Sequence, residues 1–382
     1  MKYVDELTKS EIDGKLVFVR VDFNVPIKKE ASNYVVADDT RIRGALPTIR
    51  HLLGCGARLI LCSHLGRPKG GFEQEHSILP VGEALAHLLG NEVIVPIDFG
   101  VNDYDKLIKA NPHQKLFLLE NIRFDSGEEK NSPELAKKLA ALAEYYVNDA
   151  FGASHRAHAS VVGVPELFKG RRYAGLLIKN EVDYLKQVLN PAKPFCLLSG
   201  GAKVSDKIKS FEFILEKADI LLIGGAMAYT FLRAEGINVG LSRMEKDHVQ
   251  TARAILKRAR EKNVKVVLPV DHVVANPEKF DAIEVVSDIP SDKAAFDIGP
   301  KTIELFKNQI KESATIFWNG PVGYFEKPEF FNGSKLIAKA IAESNATSII
   351  GGGDTAAAVQ QSGYANKMSH ISTGGGASLE FI

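Results

Sequence analysis

The chain has 382 residues, with 48 basic and 47 acidic side chains and a formal net charge of +1. A chain of this length exceeds the size at which one hydrophobic core keeps growing, so two domains are expected. The balanced charge gives no global reason to expect a nucleic-acid or membrane partner, and any phosphate site must therefore be local.

The cysteine pattern and the amino terminus favour a soluble, cytoplasmic protein. Cys55, Cys62 and Cys196 are odd in number and show neither C-x-x-C spacing nor a disulfide framework, which fits a reducing compartment. The first residues, MKYVDELTKS, lack the apolar core of a signal peptide. No apolar run approaches the length of about 18 residues that a membrane-spanning helix needs.

Short apolar runs alternate with amphipathic stretches along the chain. The runs lack clean alternation of apolar and polar residues, which is typical of strands buried on both faces. In chain order they are KLVFVRVDF, ARLILCSH, KLFLLEN, YYVNDAF, PFCLLSGG, DILLIGG, VKVVLPV, ATIFWNG and TSIIGGG. Stretches such as DDTRIRGALPTIRHLLG, SILPVGEALAHLLG and SPELAKKLAALA predict helices. This order predicts a parallel α/β sheet, with functional residues at the carboxyl ends of its strands.

Residues 171–194 predict a helix that Pro191 stops, and we place the domain boundary there.

Arginine dominates the predicted loops of the first half, in RVDFNVP, TRIR, HLGRP, ENIRFDSGEE and SHRAHAS. Guanidinium groups bind carboxylate and phosphate in a bidentate manner, so Arg41, Arg67, Arg123 and Arg156 would together suit a small, multiply anionic metabolite. Taken singly, each arginine could equally form a surface ion pair.

Three polar residues of these loops, Asp22, Asn24 and His64, could each have more than one role. Asp22 and Asn24 could accept a hydrogen bond from a substrate hydroxyl, or Asp22 could pair with an arginine and fix its rotamer. His64 could donate a hydrogen bond to an anionic substrate, or it could be a packed structural residue. A catalytic zinc site is not predicted here, because no well-placed third ligand accompanies the histidines.

Glycine and lysine dominate the loops of the second half. In SGGAKVSDKI, residues 199–208, if the glycines form a turn and a helix begins near Val204, the first N–H groups of that helix would face an anion. Lys203 and Lys207, one helical turn apart, would neutralise a polyphosphate, or they could be two solvated surface lysines. The loops GGAMAYT, WNGPVGYFE and GGGDTAA also follow apolar runs. In the last of them, Asp354 could bind Mg²⁺ through oxygen or could cap a helix.

Eight motifs in order along nearly the whole chain resemble phosphoglycerate kinase, namely RVDFNVP, SHLGRP, ENIRF, HRAHASVVG, GGAKVSDKI, WNGPVGYFE, GGGDTAA and STGGGASLE. The resemblance implies an α/β fold of two doubly wound, parallel-sheet (Rossmann-like) domains joined by a long interdomain helix and a hinge. It assigns residues 1–170 to triose binding, 171–190 to the interdomain helix, 191–370 to Mg-nucleotide binding, and 371–382 to the hinge and a truncated return toward the amino-terminal domain. The chain ends at SLEFI, whereas family members usually continue for a short segment.

The resemblance also implies an activity and a set of site residues. The reaction would be reversible phosphoryl transfer between 1,3-bisphosphoglycerate and ADP, giving 3-phosphoglycerate and ATP, in glycolysis and gluconeogenesis, by a monomer that requires Mg²⁺. The implied triose site is Asp22, Asn24, Arg41, His64, Arg67, Arg123 and Arg156. The implied nucleotide site is Gly201, Ala202, Lys203, Lys207, Gly224, Gly225, Asn319, Pro321, Glu326, Gly352, Gly353, Asp354 and Thr355, with Glu326 near the ribose and Asp354 as the metal ligand. The implied catalytic groups are Arg41, Lys203, Lys207, Gly374, Gly375 and Gly376.

The implied chemistry is consistent with the residues present. A substrate carboxylate is already ionised, so its attack on a phosphoryl group needs no general base. Catalysis would then be in-line positioning and charge neutralisation, with hinge closure keeping water out. Two alternatives remain at this point, a catalytically idle nucleotide and phosphosugar binder, or a kinase for another carboxylate such as acetate or an amino acid.

Overall fold

The computed structural model of the chain describes residues 1–31, 33–96, 100 and 102–382. The chain divides into two compact units, Met1–Val182 and Asp183–Ile382, named here the amino-terminal unit and the carboxyl-terminal unit. No helix within the described ranges is both long and apolar enough to cross a bilayer.

A parallel sheet forms the centre of the amino-terminal unit. The described strands of the whole unit are β1 Leu16–Arg20, β2 Ile27–Glu30, β3 Asn33–Val36, β4 Arg58–Cys62, β5 Leu116–Leu118, β6 Tyr145–Asn148 and β7 Arg172–Ala174. Its described helices are α1 Lys9–Ile12, α2 Thr40–Gly54, α3 Leu79–Leu89, α4 Tyr104–Ala110, α5 Pro133–Ala140, α6 Val164–Glu166 and α7 Leu176–Leu189, the last of which continues past the boundary. The sheet order is β5-β4-β1-β6-β7, and β2 and β3 form a separate antiparallel hairpin.

Helices cover both faces of this sheet, because successive residues of its strands point to opposite sides. Val17 and Val19 of β1 belong to a buried cluster that includes residues of α2 and α3. Phe18, between them, belongs to a second cluster that includes Leu135 and Leu139 of α5. The unit is therefore doubly wound, which explains why its central strands are apolar throughout.

The predicted helix at the boundary is shorter than expected. Residues Arg172–Ala174 form β7, which pairs with β6 in parallel, and α7 begins only at Leu176. The Asp149 carboxylate accepts hydrogen bonds from the N–H groups of Leu177 at 3.0 Å and Ile178 at 3.3 Å, which fixes the helix start. The helix ends at Leu189, ahead of Pro191 as the sequence predicted.

The carboxyl-terminal unit has a second parallel sheet and a small antiparallel one. Its described strands are β8 Phe195–Ser199, β9 Ile220–Ile223, β10 Lys265–Val267, β11 His272–Ala275, β12 Glu284–Val286, β13 Ala294–Ile298, β14 Thr315–Asn319, β15 Thr347–Gly351 and β16 His370–Ile371. Its described helices are α8 Ile208–Ile214, α9 Met227–Ala234, α10 Val249–Glu261, α11 Pro300–Glu312, α12 Asn332–Ala342, α13 Gly353–Ser362 and α14 Gly376–Phe381. The sheet orders are β10-β9-β8-β14-β15-β16 and β12-β11-β13.

All nine predicted strands form, and the predicted α/β class is confirmed. The elements that the sequence did not predict are the hairpin, β7, β16 and the antiparallel sheet of β11 to β13. β2 and β12 are largely exposed, and β7 and β16 have only three and two residues, so these strands lack the buried apolar run on which the prediction depended. β11 and β13 are mostly buried, but their short sequences HVVA and AAFDI contain the polar residues His272 and Asp297.

Candidate active site

Strand register brings the arginine-rich loops to one edge of the amino-terminal sheet. Arg20, the last residue of β1, pairs with Cys62 of β4 and Asn148 of β6. The loops after these strands therefore start side by side, at the carboxyl ends where parallel sheets bind ligands. Two of the loops are joined directly, because the Gly66 N–H donates to Asn24 Oδ1 at 2.8 Å.

Asp22 and Arg41 form an ion pair. Arg41 Nη1 donates to Asp22 Oδ2 at 2.7 Å, and the side chains are 36% and 12% exposed, respectively. Asp22 was expected either to accept a hydrogen bond from a substrate hydroxyl or to pair with an arginine, and the structure shows the pairing with an arginine. The carboxylate fixes the direction of a guanidinium that still faces solvent, and such partly exposed donors remain able to bind an anion.

His64 is buried among positive charges. Its Nδ1 lies 3.1 Å from Arg20 Nη2. Burial lowers the pKa of His64 well below 6.5, and the charges of Arg20, Arg123, Arg156 and Arg41 lower it further. Because a guanidinium can only donate, His64 Nδ1 is the acceptor and Nε2 carries the proton. His64 is thus a neutral hydrogen-bond donor surrounded by arginines.

The remaining predicted arginines differ in exposure. Arg123 is buried and donates through Nη1 to the Gly66 carbonyl at 2.7 Å. No described residue accepts a hydrogen bond from its Nε, although Glu129 Oε1 lies 3.2 Å away. Arg156 is half-buried, whereas Arg67 is exposed and makes no hydrogen bond or ion pair with the described residues. The structure thus brings Arg41, Arg123 and Arg156 around His64, and it leaves Arg67 without such contacts to the described part of the chain.

Arg20 was missed by the sequence analysis. It is fully buried, and it donates to Ser160 Oγ at 2.8 Å and to the Val21 carbonyl. Ser160 in turn donates through its hydroxyl at 2.6 Å to the buried Glu128 carboxylate. The sequence signal for Arg20 was a charged residue at the end of an apolar run, as in VFVR. A guanidinium buried at such a position needs several hydrogen-bond acceptors, so it holds the neighbouring residues in place.

Strand register also aligns the glycine-rich loops of the carboxyl-terminal unit. Ser199 at the end of β8 pairs with Asn319 of β14 and Ile223 of β9, and Asn319 pairs with Gly351 of β15. The four predicted loops therefore leave the sheet at one edge. As in the other unit, this is the edge where ligands of open α/β sheets bind.

The glycines let these loops pack on one another. A Cβ on Gly200 would lie 2.2 Å from the Pro321 carbonyl, and one on Gly225 would lie 2.5 Å from the Gly201 nitrogen. Gly201 and Gly225 also have φ values of 85° and 64°, in the left-handed region that favours glycine. The Gly201 N–H donates to Pro321 O at 2.8 Å. Gly224 is similarly enclosed by Val322.

A helix does begin next to Val204, but its first turn is not α-helical. Ser205–Lys207 form a 3₁₀ turn that runs directly into α8, which begins at Ile208. The N–H groups of Val204 and Ser205 donate to the Glu245 carboxylate at 2.5 and 3.0 Å. An internal carboxylate therefore occupies the place where we expected N–H groups to face an external anion, and Lys203 and Lys207 do not share a helical face.

The two lysines have different environments. Lys207 Nζ donates to the carbonyls of Gly200 at 2.5 Å and Asn319 at 2.6 Å, so it braces two loops. Burial lowers the pKa of Lys207 to about 7, with the charges of Asp206 and Asp354 opposing the shift. Lys203 is exposed and makes no hydrogen bond or ion pair with the described residues. Only Lys203 thus fits the alternative of a solvated lysine.

The side chains of Asn319 and Thr355 hold the loops together through hydrogen bonds to the backbone. Asn319 Nδ2 donates to the Gly351 carbonyl at 2.9 Å, and Thr355 Oγ1 accepts from the Gly320 N–H at 2.6 Å. Gly352, with φ of 92°, caps α13, and its own added Cβ would lie 3.0 Å from Asn319 Nδ2. Asp354 is therefore not the helix cap; it is an exposed carboxylate in the first turn.

A cavity of about 290 Å³ opens beside these loops. Glycine, alanine and aromatic residues line most of it, and its charged side chains are Arg243, Glu326 and Asp354. Five aromatic or charged lining residues were not predicted. Tyr229, Tyr324 and Phe325 lie within the glycine-rich loops GGAMAYT and WNGPVGYFE, where the sequence analysis singled out other residues, and Arg243 and Phe296 lie outside every quoted motif. Of the predicted nucleotide-site residues, those that line the cavity are Gly201, Ala202, Gly225, Pro321, Glu326 and Asp354.

The glycine segment near the carboxyl terminus is partly fixed. The Gly374 N–H donates to Ser372 Oγ at 3.1 Å, and the hydroxyls of Ser372 and Ser378 lie 2.5 Å apart. Gly375, with φ of 53°, precedes α14, which starts at Gly376. The Gly374 N–H is thus already hydrogen-bonded inside the segment.

Comparison with known proteins identifies the family. A model of the family "Phosphoglycerate kinase" matches residues 7–382. Phosphoglycerate kinase of Acidobacterium capsulatum is 50% identical over 384 residues, which cover 97% of this chain and 94% of that protein. Phosphoglycerate kinase of Thermosipho africanus is 50% identical over 392 residues, with 99% and 95% covered. Phosphoglycerate kinase 3, cytosolic, of Arabidopsis thaliana is 47% identical over 386 residues, with 99% and 95% covered.

Solved structures agree with the sequence relatives. The structure of phosphoglycerate kinase from Coxiella burnetii matches with a TM-score of 0.86 at 39% identity, covering 99% of this chain and 95% of that one. The structure of phosphoglycerate kinase from Pyrococcus horikoshii OT3 matches with a TM-score of 0.83 at 31% identity, covering 100% and 95%. On sequence, motif order and fold alike, the chain belongs to the phosphoglycerate kinase family.

Proposed function

We propose that the chain transfers a phosphoryl group reversibly between 1,3-bisphosphoglycerate and ADP, with the triose bound by the amino-terminal unit and the nucleotide by the carboxyl-terminal unit. As a member of the phosphoglycerate kinase family, it is a phosphotransferase of glycolysis. The division of ligands is supported by one observation: arginines surround His64 in the first unit, whereas a cavity next to Lys203 and Asp354 lies in the second.

The arginine cluster suits the triose. Its ligand carries a phosphate and a carboxyl group, and guanidinium groups bind both in a bidentate manner. Arg123 supplies a buried guanidinium that the Gly66 carbonyl at 2.7 Å and Glu129 Oε1 at 3.2 Å already hold in place. His64 Nε2 supplies a neutral donor, and Asp22 keeps Arg41 oriented. Four or more anionic oxygens can thus be matched by donors that the fold already holds in place.

The cavity of the carboxyl-terminal unit suits a nucleotide. Tyr229, Phe296 and Tyr324 offer an aromatic surface to a planar base. Glu326 can accept hydrogen bonds from ribose hydroxyls, which are donors. The phosphates would then lie toward Gly201 and Lys203, at the carboxyl end of β8.

Asp354 would hold the Mg²⁺ that accompanies the nucleotide. Its carboxylate is exposed and lines the same cavity. Mg²⁺ is commonly held by one or two carboxylates together with substrate phosphates, so a single well-placed carboxylate fits. When bound, the ion neutralises charge on the phosphoryl oxygens.

We propose that transfer is direct and in line, without a covalent intermediate. The carboxylate of 3-phosphoglycerate is ionised at neutral pH, so no general base is required. Lys203 and Arg41 would neutralise charge on the group in transfer, each from its own unit. Lys207 contributes by bracing the loops at Gly200 and Asn319. Of the three glycines 374–376, Gly375 and Gly376 are the candidates for N–H contact with the phosphoryl group, because the Gly374 N–H is already bonded.

Because the two ligand sites belong to different units, both units must act on one phosphoryl group for transfer to occur. We propose that hinge motion brings this about, with residues 371–382 as part of the hinge. Closure would also exclude water, which competes with the carboxylate as acceptor.

We further propose that the enzyme is a cytoplasmic monomer. Its three cysteines are free, and burial raises the pKa of Cys62 and of Cys196 to about 12, which keeps these thiols protonated and unreactive. Sedimentation velocity tests the monomer, and a dimer at micromolar concentration would contradict it.

The test of this function is the initial rate of 3-phosphoglycerate phosphorylation by Mg-ATP, coupled to NADH oxidation through glyceraldehyde-3-phosphate dehydrogenase. We expect activity that disappears with EDTA and returns with added Mg²⁺. Acetate at the same concentration is the control acceptor. Its product is not a substrate of the coupling enzyme, so ADP formation is measured for both acceptors, and acetate should give no rate above background. Binding of both ligands without turnover would instead indicate an idle binder.

A further inference from the structure

We propose that Glu245 is a positioning residue for phosphoryl transfer: its carboxylate fixes the lysine turn, residues Lys203–Lys207, so that the Lys203 ammonium is presented to the nucleotide phosphates. This inference rests on the proposed function, because it takes Lys203 as the phosphate-binding lysine. Glu245 lies 38 positions after the turn in sequence and carries no motif that would suggest the role.

The Glu245 carboxylate holds the turn through three hydrogen bonds. Oε2 accepts from the Val204 N–H at 2.5 Å and the Ser205 N–H at 3.0 Å, and Oε1 accepts from the Ser205 hydroxyl at 2.6 Å. Burial alone would raise the pKa of Glu245, but the bonds from Ser205 and Val204 outweigh it and keep the pKa below its ordinary value. The acceptor is therefore an ionised carboxylate, which makes each of these bonds stronger than a neutral one.

Glu245 itself is attached to the rigid part of the unit. Its N–H donates at 3.0 Å to Oγ1 of Thr230, a fully buried residue of α9. Three residues earlier, Ser242 Oγ accepts from the Ala295 N–H of β13 at 3.0 Å. The segment that carries the carboxylate is thus fixed to a helix and to a strand, and it transmits their position to the lysine turn.

The far end of the turn is fixed independently. Lys207 Nζ donates to the carbonyls of Gly200 and Asn319, at the ends of β8 and β14. With Glu245 at one end and Lys207 at the other, Lys203 is the exposed cation of the turn. Glu245 makes no ion pair with Lys203 in the described structure, so it orients the backbone next to Lys203 and leaves the ammonium available to phosphate.

The primary test compares Glu245→Ala with Glu245→Gln. The alanine variant loses all three acceptors, and we expect kcat with Mg-ATP to fall about tenfold or more, since small misplacement of a catalytic group has effects of this size. KM for 3-phosphoglycerate should stay unchanged, because that ligand binds the other unit. The glutamine variant keeps the length and one acceptor oxygen, and its amide can donate to Ser205 Oγ, so it should restore kcat to within about threefold of wild type. Glu235→Ala is the matched control, because the side chain of Glu235, in the same unit, makes a surface ion pair with Arg260 at 2.6 Å and no other ion pair with the described residues.

A double-mutant cycle separates positioning from general stabilisation. If Glu245 acts by placing Lys203, then Glu245→Ala should lower kcat little further in a Lys203→Ala background. A purely structural role would lower kcat by the same factor in both backgrounds. Urea denaturation of every variant shows that it is folded under assay conditions. Should Glu245→Ala not fold, Ser205→Ala removes one of the three bonds, and a partial loss of kcat is then expected.

Three results would overturn the inference: wild-type kcat in folded Glu245→Ala, an equal loss in Glu235→Ala, or additive losses in the double variant. Wild-type turnover in Lys203→Ala would be a different failure. It would show that the proposed function assigns the wrong lysine, and the inference about Glu245 would fall with it. A strong effect of Lys203→Ala with none of Glu245→Ala would sink the inference alone.

Discussion

Lys207→Met should change how the stability of the protein depends on pH. Burial lowers the pKa of Lys207 to about 7 in the folded chain, whereas a lysine in the unfolded chain titrates near pH 10.4. Between these values the unfolded state binds one more proton than the folded state. The free energy of unfolding of the wild type therefore rises with pH, by up to about 1.4 kcal/mol per pH unit from this group.

Methionine carries no proton, so the variant lacks this contribution. The free energy of unfolding of the wild type minus that of Lys207→Met should grow by about 2 kcal/mol between pH 7 and pH 9. Urea denaturation followed by circular dichroism at intervals of pH measures it. Lys203→Met is the control, since it removes an exposed lysine of the same turn and keeps Lys207, so the contribution from Lys207 should remain. A constant difference for Lys207→Met would show that Lys207 titrates at its ordinary pKa and would refute this reasoning.

Three further predictions concern single contacts. Asp22→Asn removes the charge that orients Arg41 at 2.7 Å, so KM for 3-phosphoglycerate should rise severalfold in steady-state kinetics while KM for ATP does not; an unchanged triose KM would contradict the role of the pair. Gly225→Ala places a Cβ 2.5 Å from the Gly201 nitrogen at a φ of 64°, and we expect a loss of about 1–3 kcal/mol in urea denaturation together with weaker ADP binding; wild-type stability would mean that the loops tolerate separation. His64 has its pKa lowered below 6.5 by burial, so the unfolded state binds more protons as pH falls below that value and stability decreases there; His64→Asn should flatten this slope, and identical slopes would argue that His64 is protonated in the folded chain.

The sequence could predict the parallel sheets because their strands are buried on both faces. A run such as LVFVR needs both its odd and its even residues to be apolar, and this pattern is visible without any structure. Strand β12, EVV, could not be predicted for the opposite reason, since it is largely exposed and its residues carry no periodic signal. The fold class alone predicts that the functional loops lie at the edge of each sheet where the parallel strands have their carboxyl ends.

The contacts within the loops could not be predicted, because they depend on residues far apart in the chain. The lysine turn looked like the first turn of a helix, and locally it has the right residues for one. The carboxylate that reorganises it comes from Glu245, and the carbonyls that capture Lys207 come from Gly200 and Asn319. Tertiary hydrogen bonds therefore determine what the first N–H groups of this helix and the Lys207 ammonium contact, and no spacing rule within the motif predicts them.

The most direct measurement of the division between units is calorimetric titration of the full chain with 3-phosphoglycerate and, separately, with Mg-ADP. Lys203→Ala and Arg67→Ala suit it well, because both side chains are exposed and make no hydrogen bond or ion pair with the described residues, so neither change should disturb the fold. Arg67→Ala should weaken triose binding and leave nucleotide affinity at the wild-type value, and Lys203→Ala should leave triose affinity at that value. Loss of triose affinity in Lys203→Ala, or loss of nucleotide affinity in Arg67→Ala, would contradict the assignment of one ligand to each unit.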